Sequence, residues 1–325
     1  PSPLHLLAAI LTASGIPWKM RLRALPFCAR LPLEKEQSVS QWLASHGQDG
    51  LASILWEPLC LAALNTPPSL ASAKVFRRVL QDAFQRGHRQ SDMLLPKLGL
   101  HALFPEPARE FIERRGGHVL LGQRVRALDI REGRIHGVMA GGKTFEADHV
   151  VLAVPWEACL RLIEPHPSLF PIAHALARLS PSPITTVYLR YPGASLPHPF
   201  VGLSETLCHW IFDRAFCGQP GLMAAVISGP GEHMAMARER LAEAVAEILA
   251  RRFPWPPPQD VLVIREKRAT FACLAGIESL RPAASTGVRG LWLAGDYTDT
   301  GYPSTLEGAV ASGVKCAQAM LGETP

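Results

Sequence analysis

The hydrophobic pattern near the end of the chain predicts a buried strand, a loop and a helix. Residues 291–295 form a short apolar run of the kind that makes a buried strand. Ser304 and Glu307 have the spacing of a capping box, so a helix is predicted from Ser304 to about Met320. Small residues fill its early positions and would let a sheet or a flat ring approach the backbone closely: Gly308, Ala309, Ala311, Ser312 and Gly313.

Helical periodicity dominates the first part of the chain. The predicted helices are an apolar stretch at 4–11, a helix capped by Ser40 that ends near Gly47, a helix that begins at Asp49 or Gly50, and an amphipathic helix at 75–84. Pro58 either lies in the first turns of its helix or kinks it. The stretch 4–11 is too short to span a bilayer, which needs about 20 residues. We favour a helix packed on its neighbours over one that rests on lipid.

Short strands follow in two groups. Between Gly116 and Pro155 the pattern predicts a small β-meander with strands at 118–121, 124–130, 134–140, 143–146 and 149–153. Further along, the pattern predicts an antiparallel sheet with strands at 184–190, 207–212, 222–228 and 261–270. A long amphipathic helix is predicted from Glu232 to Arg252, because prolines lie on both sides of it.

Composition and charge exclude several classes of function. The net charge of +5 is spread over many arginines without a dense basic block, so no nucleic-acid partner is predicted. A mildly basic face for an anionic membrane surface stays open. The 7 cysteines form no C-x-x-C pair and are odd in number, which indicates reduced thiols in a cytoplasmic protein. The absence of H-E-x-x-H and G-x-S-x-G motifs argues against zinc proteases and serine hydrolases, and no metal site is predicted.

The predicted strand at 291–295 leads directly to an acid, Asp296, and the start of the last helix follows a few residues later. An acid beside a helix N-terminus forms a polar cradle for an anionic or hydroxyl-rich ligand. We therefore expect a bound cofactor at this loop.

The same residues resemble the C-terminal flavin-binding motif of the flavin amine oxidase and carotenoid desaturase superfamily. The matching residues are Gly295-Asp296 and 302–309, which read Tyr-Pro-Ser-Thr-Leu-Glu-Gly-Ala. The resemblance implies FAD as the cofactor, with Asp296 hydrogen-bonded to its ribityl and pyrophosphate part. The isoalloxazine edge at N1 and the C2 carbonyl would face the backbone of Ser304, Thr305 and Leu306. The backbone of Val125, in the predicted meander, would contact the adenine.

Four earlier stretches resemble one family within this superfamily, the squalene-associated FAD-dependent desaturases, also called hydroxysqualene dehydroxylases. They are 56–59 (Trp-Glu-Pro-Leu), 65–67 (Asn-Thr-Pro), 71–73 (Ala-Ser-Ala) and the segment from Ser91-Asp92 onward. With the C-terminal motif, the resemblance covers nearly the whole chain. It implies an oxidoreductase of squalene and hopanoid biosynthesis that replaces the hydroxyl of hydroxysqualene, a long isoprenoid, with a hydride from reduced FAD.

The resemblance also implies an α/β fold. A doubly wound FAD-binding domain of the amine oxidase type would be interwoven with a substrate domain made of helices and an antiparallel sheet. The expected division assigns 1–111 to the helical part of the substrate domain and 112–155 to the FAD-binding meander. It assigns 156–284 to the antiparallel sheet and helices of the substrate domain, and 285–325 to the C-terminal strand and helix of the FAD domain.

Several questions stay open from sequence alone. The apolar faces of 4–11, 51–64 and 93–104 are candidates for a substrate tunnel, although core is the safer interpretation of each. No single hydroxyl donor is preferred among Glu57, Asp82, Asp92 and Tyr302. A carotenoid desaturase, an amine oxidase and a silent protein that binds an isoprenoid without flavin are the alternatives. The expected location is the cytoplasm, with peripheral contact at the inner membrane surface left open, and no pattern indicates an oligomeric state.

The sequence lacks the G-x-G-x-x-G turn that flavin proteins of this class use to hold the pyrophosphate. Its one G-x-G, Gly229-Pro230-Gly231, has Met234 at the third glycine position and is predicted to be a loop. We expect the missing strand and turn to begin roughly 70 to 110 residues before Pro1, from the size of a βαβ unit. Without that turn, the chain is expected to bind FAD weakly.

Overall fold

The computed structural model describes residues 8, 11–12, 17–85, 92, 94–203 and 207–322. Its first part is helical, as predicted, and contains α1 (Trp18–Arg30), α2 (Val39–Ser45), α3 (Asp49–Leu51), α4 (Glu57–Leu64), α5 (Ala73–Phe84), α6 (Leu100–Leu103) and α7 (Pro105–Glu113). The predicted helix at 4–11 lies almost wholly outside the described residues, as do Ser91 and Met93.

Helix α2 is capped by Ser38, and the prediction of a cap at Ser40 was wrong. The Ser38 hydroxyl accepts a hydrogen bond from the Gln41 N–H at 3.3 Å, and the Gln41 side chain accepts one from the Ser38 N–H at 3.1 Å. A glutamine at the third helical position completes this reciprocal box only with the serine three residues before it. The helix then buries Trp42 and Leu43 against its neighbours.

A π-helical turn (Ala52–Trp56) joins α3 to α4. In this turn the Glu57 N–H donates to the carbonyl of Ala52, five residues back. Pro58 comes next, in the first turn of α4, where it has no N–H to donate. The proline therefore lies at the start of its helix, and the wider turn comes directly before it.

Three strands of the predicted meander are present as β1 (Val125–Arg131), β2 (Arg134–Ala140) and β3 (Lys143–Glu146), which pair antiparallel in that order. The prediction that the strand at 149–153 belongs to the meander was wrong, because Val150–Leu152 pairs parallel with Leu291–Leu293. The strand predicted at 118–121 was wrong, because those residues form no strand and Leu120 and Leu121 are exposed. A strand needs a neighbour to satisfy its N–H and C=O groups, and no described strand pairs with this segment.

Two further sheets complete the fold. A parallel pair joins β4 (Val150–Leu152) to β10 (Leu291–Leu293). Helices α8 (Trp156–Ile163) and α9 (Phe170–Ala177) lead to an antiparallel sheet in the order β6-β7-β8-β5-β9. Its strands are β5 (Pro181–Arg190), β6 (Phe200–Gly202), β7 (Trp210–Asp213), β8 (Leu222–Ser228) and β9 (Asp260–Phe271). The mixed α/β class and the antiparallel sheet were predicted correctly.

The helix predicted from Glu232 begins later, as α10 (Arg238–Arg252). A short 3-10 turn (Glu232–Met234) precedes it. The guanidinium of Arg265 donates to the carbonyls of His233 and Met236 at 3.0 and 2.7 Å. Those carbonyls would otherwise accept from N–H groups one turn further along a helix. A side chain from β9 therefore occupies the acceptors that a continuous helix would use.

The buried apolar residues form two large clusters. One cluster joins the N-terminal helices to the meander, to α8 and α9 and to the β4–β10 pair. The other lies between the antiparallel sheet and α10. The predicted domain limits at residues 111, 155 and 284 stay a prediction.

A buried amide, that of Asn65, connects the end of α4 to the antiparallel sheet. Asn65 adopts a left-handed conformation with φ of 49° as the C-cap of α4 and is 5 % exposed. Its Nδ2 donates to the Pro183 carbonyl at 3.1 Å and to the Thr270 hydroxyl at 2.9 Å. Its Oδ1 accepts from the Gly229 N–H at 2.6 Å. One side chain thus bonds to β5, to β9 and to the residue that follows β8.

Replacing Ser38 by alanine removes the cap of α2 and should lower the free energy of unfolding by about 1 kcal/mol. Ser40→Ala is the matched control, because no hydrogen bond of the Ser40 hydroxyl is seen, and its effect should stay within about 0.5 kcal/mol. Urea unfolding of both variants measures the difference. A larger loss in Ser40→Ala than in Ser38→Ala would contradict the assignment of the cap.

Candidate functional site

A cleft of about 320 Å³ lies where the carboxyl ends of β4 and β10 meet the end of β9. Since β4 and β10 are parallel, the residues that follow them emerge at the same edge of the sheet. The walls of the cleft are residues 153–157 after β4, residues 268–271 of β9, Gly295-Asp296 after β10, and Ser304 and Ala309 around the start of the last helix. Sites of open α/β folds lie at such an edge.

The turn after β10 is held against the last helix, α11 (Leu306–Gly322). The Gly295 N–H donates to the Ser312 hydroxyl at 2.7 Å, and that hydroxyl donates to the Ala309 carbonyl at 2.7 Å. Gly295 has a φ of 151°, and a Cβ at this position would lie 2.5 Å from the ring of Tyr297. Only glycine fits here without moving the ring.

Asp296 and Ser304 are bonded to each other across the cleft, since the Ser304 hydroxyl donates to Oδ2 of Asp296. The prediction that Ser304 caps the last helix was wrong. Thr305 caps it instead, because its Oγ1 accepts from the Gly308 N–H at 3.1 Å. The carboxylate of Asp296 therefore accepts from the Ser304 hydroxyl, and the hydroxyl of the next residue, Thr305, caps α11.

The loop 296–302 is organised by Arg281, which the sequence reading missed. The side chain is 6 % exposed and donates to the carbonyls of Asp296, Thr298 and Tyr302 at 2.8, 2.8 and 2.6 Å. A fourth bond of 2.8 Å goes to the Thr300 hydroxyl. Burial lowers the pKa of this guanidinium, and nearby acidic groups oppose that effect. The sequence does offer one signal for Arg281, because it is the single charged residue in 279–288.

Two of the four candidate hydroxyl donors meet in the structure. The Tyr302 hydroxyl donates to Oδ2 of Asp82 at 2.7 Å, and Arg78 Nε donates to the same oxygen at 2.7 Å. The Arg78 guanidinium also lies 5.1 Å from the centre of the Tyr302 ring. The bond to Asp82 raises the pKa of Arg78, so the guanidinium stays charged.

The other two candidates lie elsewhere. Glu57 is half-buried in the first turn of α4. Burial lowers the pKa of the His209 imidazole, and the nearby Glu57 carboxylate opposes that effect. Asp92 is exposed. Neither residue lines the cleft of Asp296.

Some of the residues predicted to bind the cofactor lie at the cleft, and one of them does not. Gly295, Asp296 and Ser304 line the cleft, and Thr305 and Leu306 begin the helix beside it. Val125 is half-buried at the start of β1, paired with Ala140, and is not part of the cleft wall. Its predicted contact with an adenine ring stays a prediction.

No group of three or more histidine, cysteine, aspartate or glutamate side chains suited to a metal ion occurs in the described part of the chain. All 7 cysteines are unbridged, and six of them are buried. Burial raises the pKa of the Cys28 and Cys273 thiols to about 12 and that of Cys159 to about 11. These thiols are neutral at physiological pH, so they pack as small apolar groups.

Parallel strand ends, an acid after a buried strand and a helix N-terminus are the features of ligand sites in open α/β folds. Residues 5–321 match the family of flavin-containing amine oxidoreductases, and the chain belongs to that family. Within it, the chain is similar to the hydroxysqualene dehydroxylases of Rhodopseudomonas palustris, with 32% identity over 81% of the chain, and of Sinorhizobium fredii, with 31% identity over 83%. The resemblance read from the sequence is thereby confirmed.

The chain spans only 61% and 62% of the length of these two curated relatives. A more distant relative is the 15-cis-phytoene desaturase of Solanum lycopersicum, 25% identical over 66% of the chain and 40% of the relative. Among solved structures, an oxidoreductase from Methanosarcina mazei superposes with a TM-score of 0.77 at 16% identity, over 97% of this chain and 75% of that one. This likeness is one of fold, and together with the family match it confirms the amine-oxidase type of fold.

Removing the buried cation should loosen the loop around Asp296. In Arg281→Met, three carbonyls lose their donor; that of Thr298 is buried, and one unmet buried group costs about 1 to 3 kcal/mol. We expect a clearly lower midpoint of urea unfolding and faster proteolytic cleavage within 296–302. Arg289→Met is the control, since Arg289 is exposed and should tolerate the change. Equal stability of the two variants would show that Arg281 does not organise this loop.

Proposed function

We propose that the cleft binds FAD, with Asp296 hydrogen-bonded to the ribityl and pyrophosphate part of the cofactor. The observation that carries this proposal is the meeting of Asp296, Ser304 and the start of α11 at the carboxyl ends of two parallel strands. The first N–H groups of a helix have no partners within it, so they suit an electron-rich ring edge. The backbone of Thr305 and Leu306 lies at that end of α11.

The shape of the cleft fits a flat ring. Four of its lining residues are alanine or glycine: Ala153, Ala269, Gly295 and Ala309. Their small side chains leave room for close approach to the backbone. When bound in reduced form, FAD would supply the hydride that replaces a substrate hydroxyl, and that hydroxyl would leave as water after taking up one proton.

We infer that the substrate is a long isoprenoid alcohol of the hydroxysqualene type, which would be converted to squalene. A cavity of about 230 Å³ between α1, α4 and α5 supports this inference, because its lining has no exposed polar surface. The lining residues are Cys28, Leu31, Leu55, Trp56, Leu59, Leu80 and Phe84. A hydrocarbon chain would bury apolar surface there.

Helix α5 connects this cavity to the loop of the candidate cofactor site. Leu80 and Phe84, one turn apart, line the cavity. Arg78 and Asp82, also one turn apart, bind Tyr302 of the loop. A substrate chain in the cavity would therefore lie against the same helix that contacts the flavin-binding motif.

A carotenoid desaturase is the second candidate, favoured by the similarity to the phytoene desaturase. Both candidates suit an apolar cavity, and an amine oxidase for small polar amines suits it less well. Product analysis with hydroxysqualene, once with reduced and once with oxidised FAD, separates them. Squalene formed with reduced FAD supports the dehydroxylase, whereas an added double bond with the hydroxyl retained, formed with oxidised FAD as the electron acceptor, would support the desaturase.

We also propose contact with a membrane surface from which such a substrate could be taken. Large apolar side chains are exposed around α6, among them Leu94, Leu98, Leu100, Leu103 and Phe104. Lys97 lies among them and could face anionic headgroups. None of the helices within the described ranges is both long enough and apolar enough to cross a membrane.

The role of Asp296 in cofactor binding can be measured directly. In the protein as its gene encodes it, Asp296→Ala should weaken FAD binding about tenfold to a hundredfold, the range for a charge-assisted hydrogen bond. Asp299→Ala is the matched control, because Asp299 is exposed in the same loop. Flavin fluorescence titration gives both affinities. An unchanged affinity in a folded Asp296→Ala variant would exclude the proposed role.

The apolar cavity provides a second test of the function. Leu59→Phe takes up space in the cavity and should weaken binding of hydroxysqualene by about 1 to 3 kcal/mol, the range for a methylene-sized change in a hydrophobic pocket. FAD affinity should not change. Leu22→Phe, at an exposed position of α1, is the control. If Leu59→Phe bound hydroxysqualene as tightly as the unsubstituted protein, the isoprenoid would have to lie elsewhere.

A further inference from the structure

We propose that the Thr270 hydroxyl is the group in the cleft that donates a hydrogen bond to the hydroxyl oxygen of the substrate. This inference rests on the proposed function and adds a residue that determines specificity. Thr270 is the second-last residue of β9 and lines the cleft on the side of the antiparallel sheet. Asp296 and Ser304 belong to the side that follows β10. A substrate oxygen near Thr270 would therefore lie between the sheet and the cofactor.

The orientation of the Asn65 amide decides whether the Thr270 hydroxyl donates a hydrogen bond to Asn65 or accepts one from it. The Gly229 N–H donates to Oδ1 of Asn65, so this atom is the oxygen. The other amide atom lies 3.1 Å from the Pro183 carbonyl and must be the nitrogen. Turning the amide over would place two donors together at Gly229 and two acceptors together at Pro183.

Because the orientation of the amide is fixed, Thr270 can only accept a hydrogen bond from Asn65. An amide nitrogen carries donors and no acceptor, so at the 2.9 Å contact Asn65 donates and the Thr270 oxygen accepts. The proton of the Thr270 hydroxyl is then available for another acceptor. No acceptor for it is seen within residues 17–85, 94–203 and 207–322. A buried amide thus leaves this hydroxyl as a donor at the wall of the cleft.

Two other donors of the cleft are placed differently. The Ser304 hydroxyl already donates to Asp296. Arg268 has a side chain that is 65% exposed and lies 3.9 Å from the carboxylate of Glu157. Thr270 is half-buried and uncharged, so it can approach a neutral alcohol without bringing a charge out of water.

This contact would distinguish the substrate from its product. The alcohol has an oxygen that can accept from Thr270, whereas the hydrocarbon that remains after loss of the hydroxyl has no acceptor. Loss of the hydrogen bond would weaken binding of the product relative to the alcohol. The net value of a neutral hydrogen bond corresponds to about a two- to tenfold difference in affinity.

The test compares equilibrium binding of hydroxysqualene and of squalene to the protein with oxidised FAD, a state that has no hydride to transfer. The unsubstituted protein should bind hydroxysqualene more tightly. Thr270→Val keeps the shape of the side chain and should reduce that preference about two- to tenfold, through weaker binding of the alcohol alone. Thr270→Ser keeps the hydroxyl and should retain the preference. Thr144→Val, an exposed position on β3, controls for the change of residue type.

Each outcome decides the point. A preference that Thr270→Val retains in full would overturn the inference, as would equal weakening of both ligands. Weaker FAD binding with unchanged alcohol binding would assign the hydroxyl to the cofactor and also overturn it. A wild-type protein without preference for hydroxysqualene would overturn the proposed substrate, and the inference with it. If Thr270→Val does not fold, Thr270→Cys, whose thiol is a weak donor, provides the same comparison.

Discussion

The candidate site depends on one buried cation. The loop after β10 turns its carbonyls inward, and the guanidinium of Arg281 meets three of them at once. Arginine suits this task because its donors form a rigid fork and it stays charged even when burial lowers its pKa. Arg281 precedes β10 and the loop follows it. The segment 281–302 therefore folds back on itself, and the bond from Arg281 fixes the backbone at Asp296.

A second buried polar group connects the two apolar clusters. Asn65 belongs to the helical part of the chain, yet its amide bonds to β5 and β9 and to the residue after β8. Apolar surfaces at this place could slide past each other, whereas the hydrogen bonds of the Asn65 amide form in only one position of the helix relative to the sheet. The Thr66 hydroxyl adds a bond of 2.8 Å to the Cys273 N–H. The end of β9, which forms one wall of the cleft, is thereby fixed to the helices that form the apolar cavity.

Local sequence pattern predicted the elements whose limits are set by near neighbours. Strands β2 and β8 have the limits expected from alternation and from their flanking turns. Two of the errors fall where a side chain outside the predicted helix decides. Arg265 of β9 delays the start of α10, and Asp296 takes the hydroxyl of Ser304 from the helix cap. No pattern along the chain could reveal such pairs, because their partners are set by the tertiary fold.

Helix α5 shows how one amphipathic pattern serves both parts of the site. Its polar residues Lys74, Arg78 and Asp82 recur at one-turn intervals and contact Glu278 and Tyr302, on either side of β10. Its apolar residues recur with the same period, and Leu80 and Phe84 line the cavity. Partly exposed ion pairs such as these add little stability, so their main effect is to orient the helix. A rotation of α5 would move the cavity wall and the Tyr302 contact together, which couples the space for an apolar chain to the loop proposed to hold the cofactor.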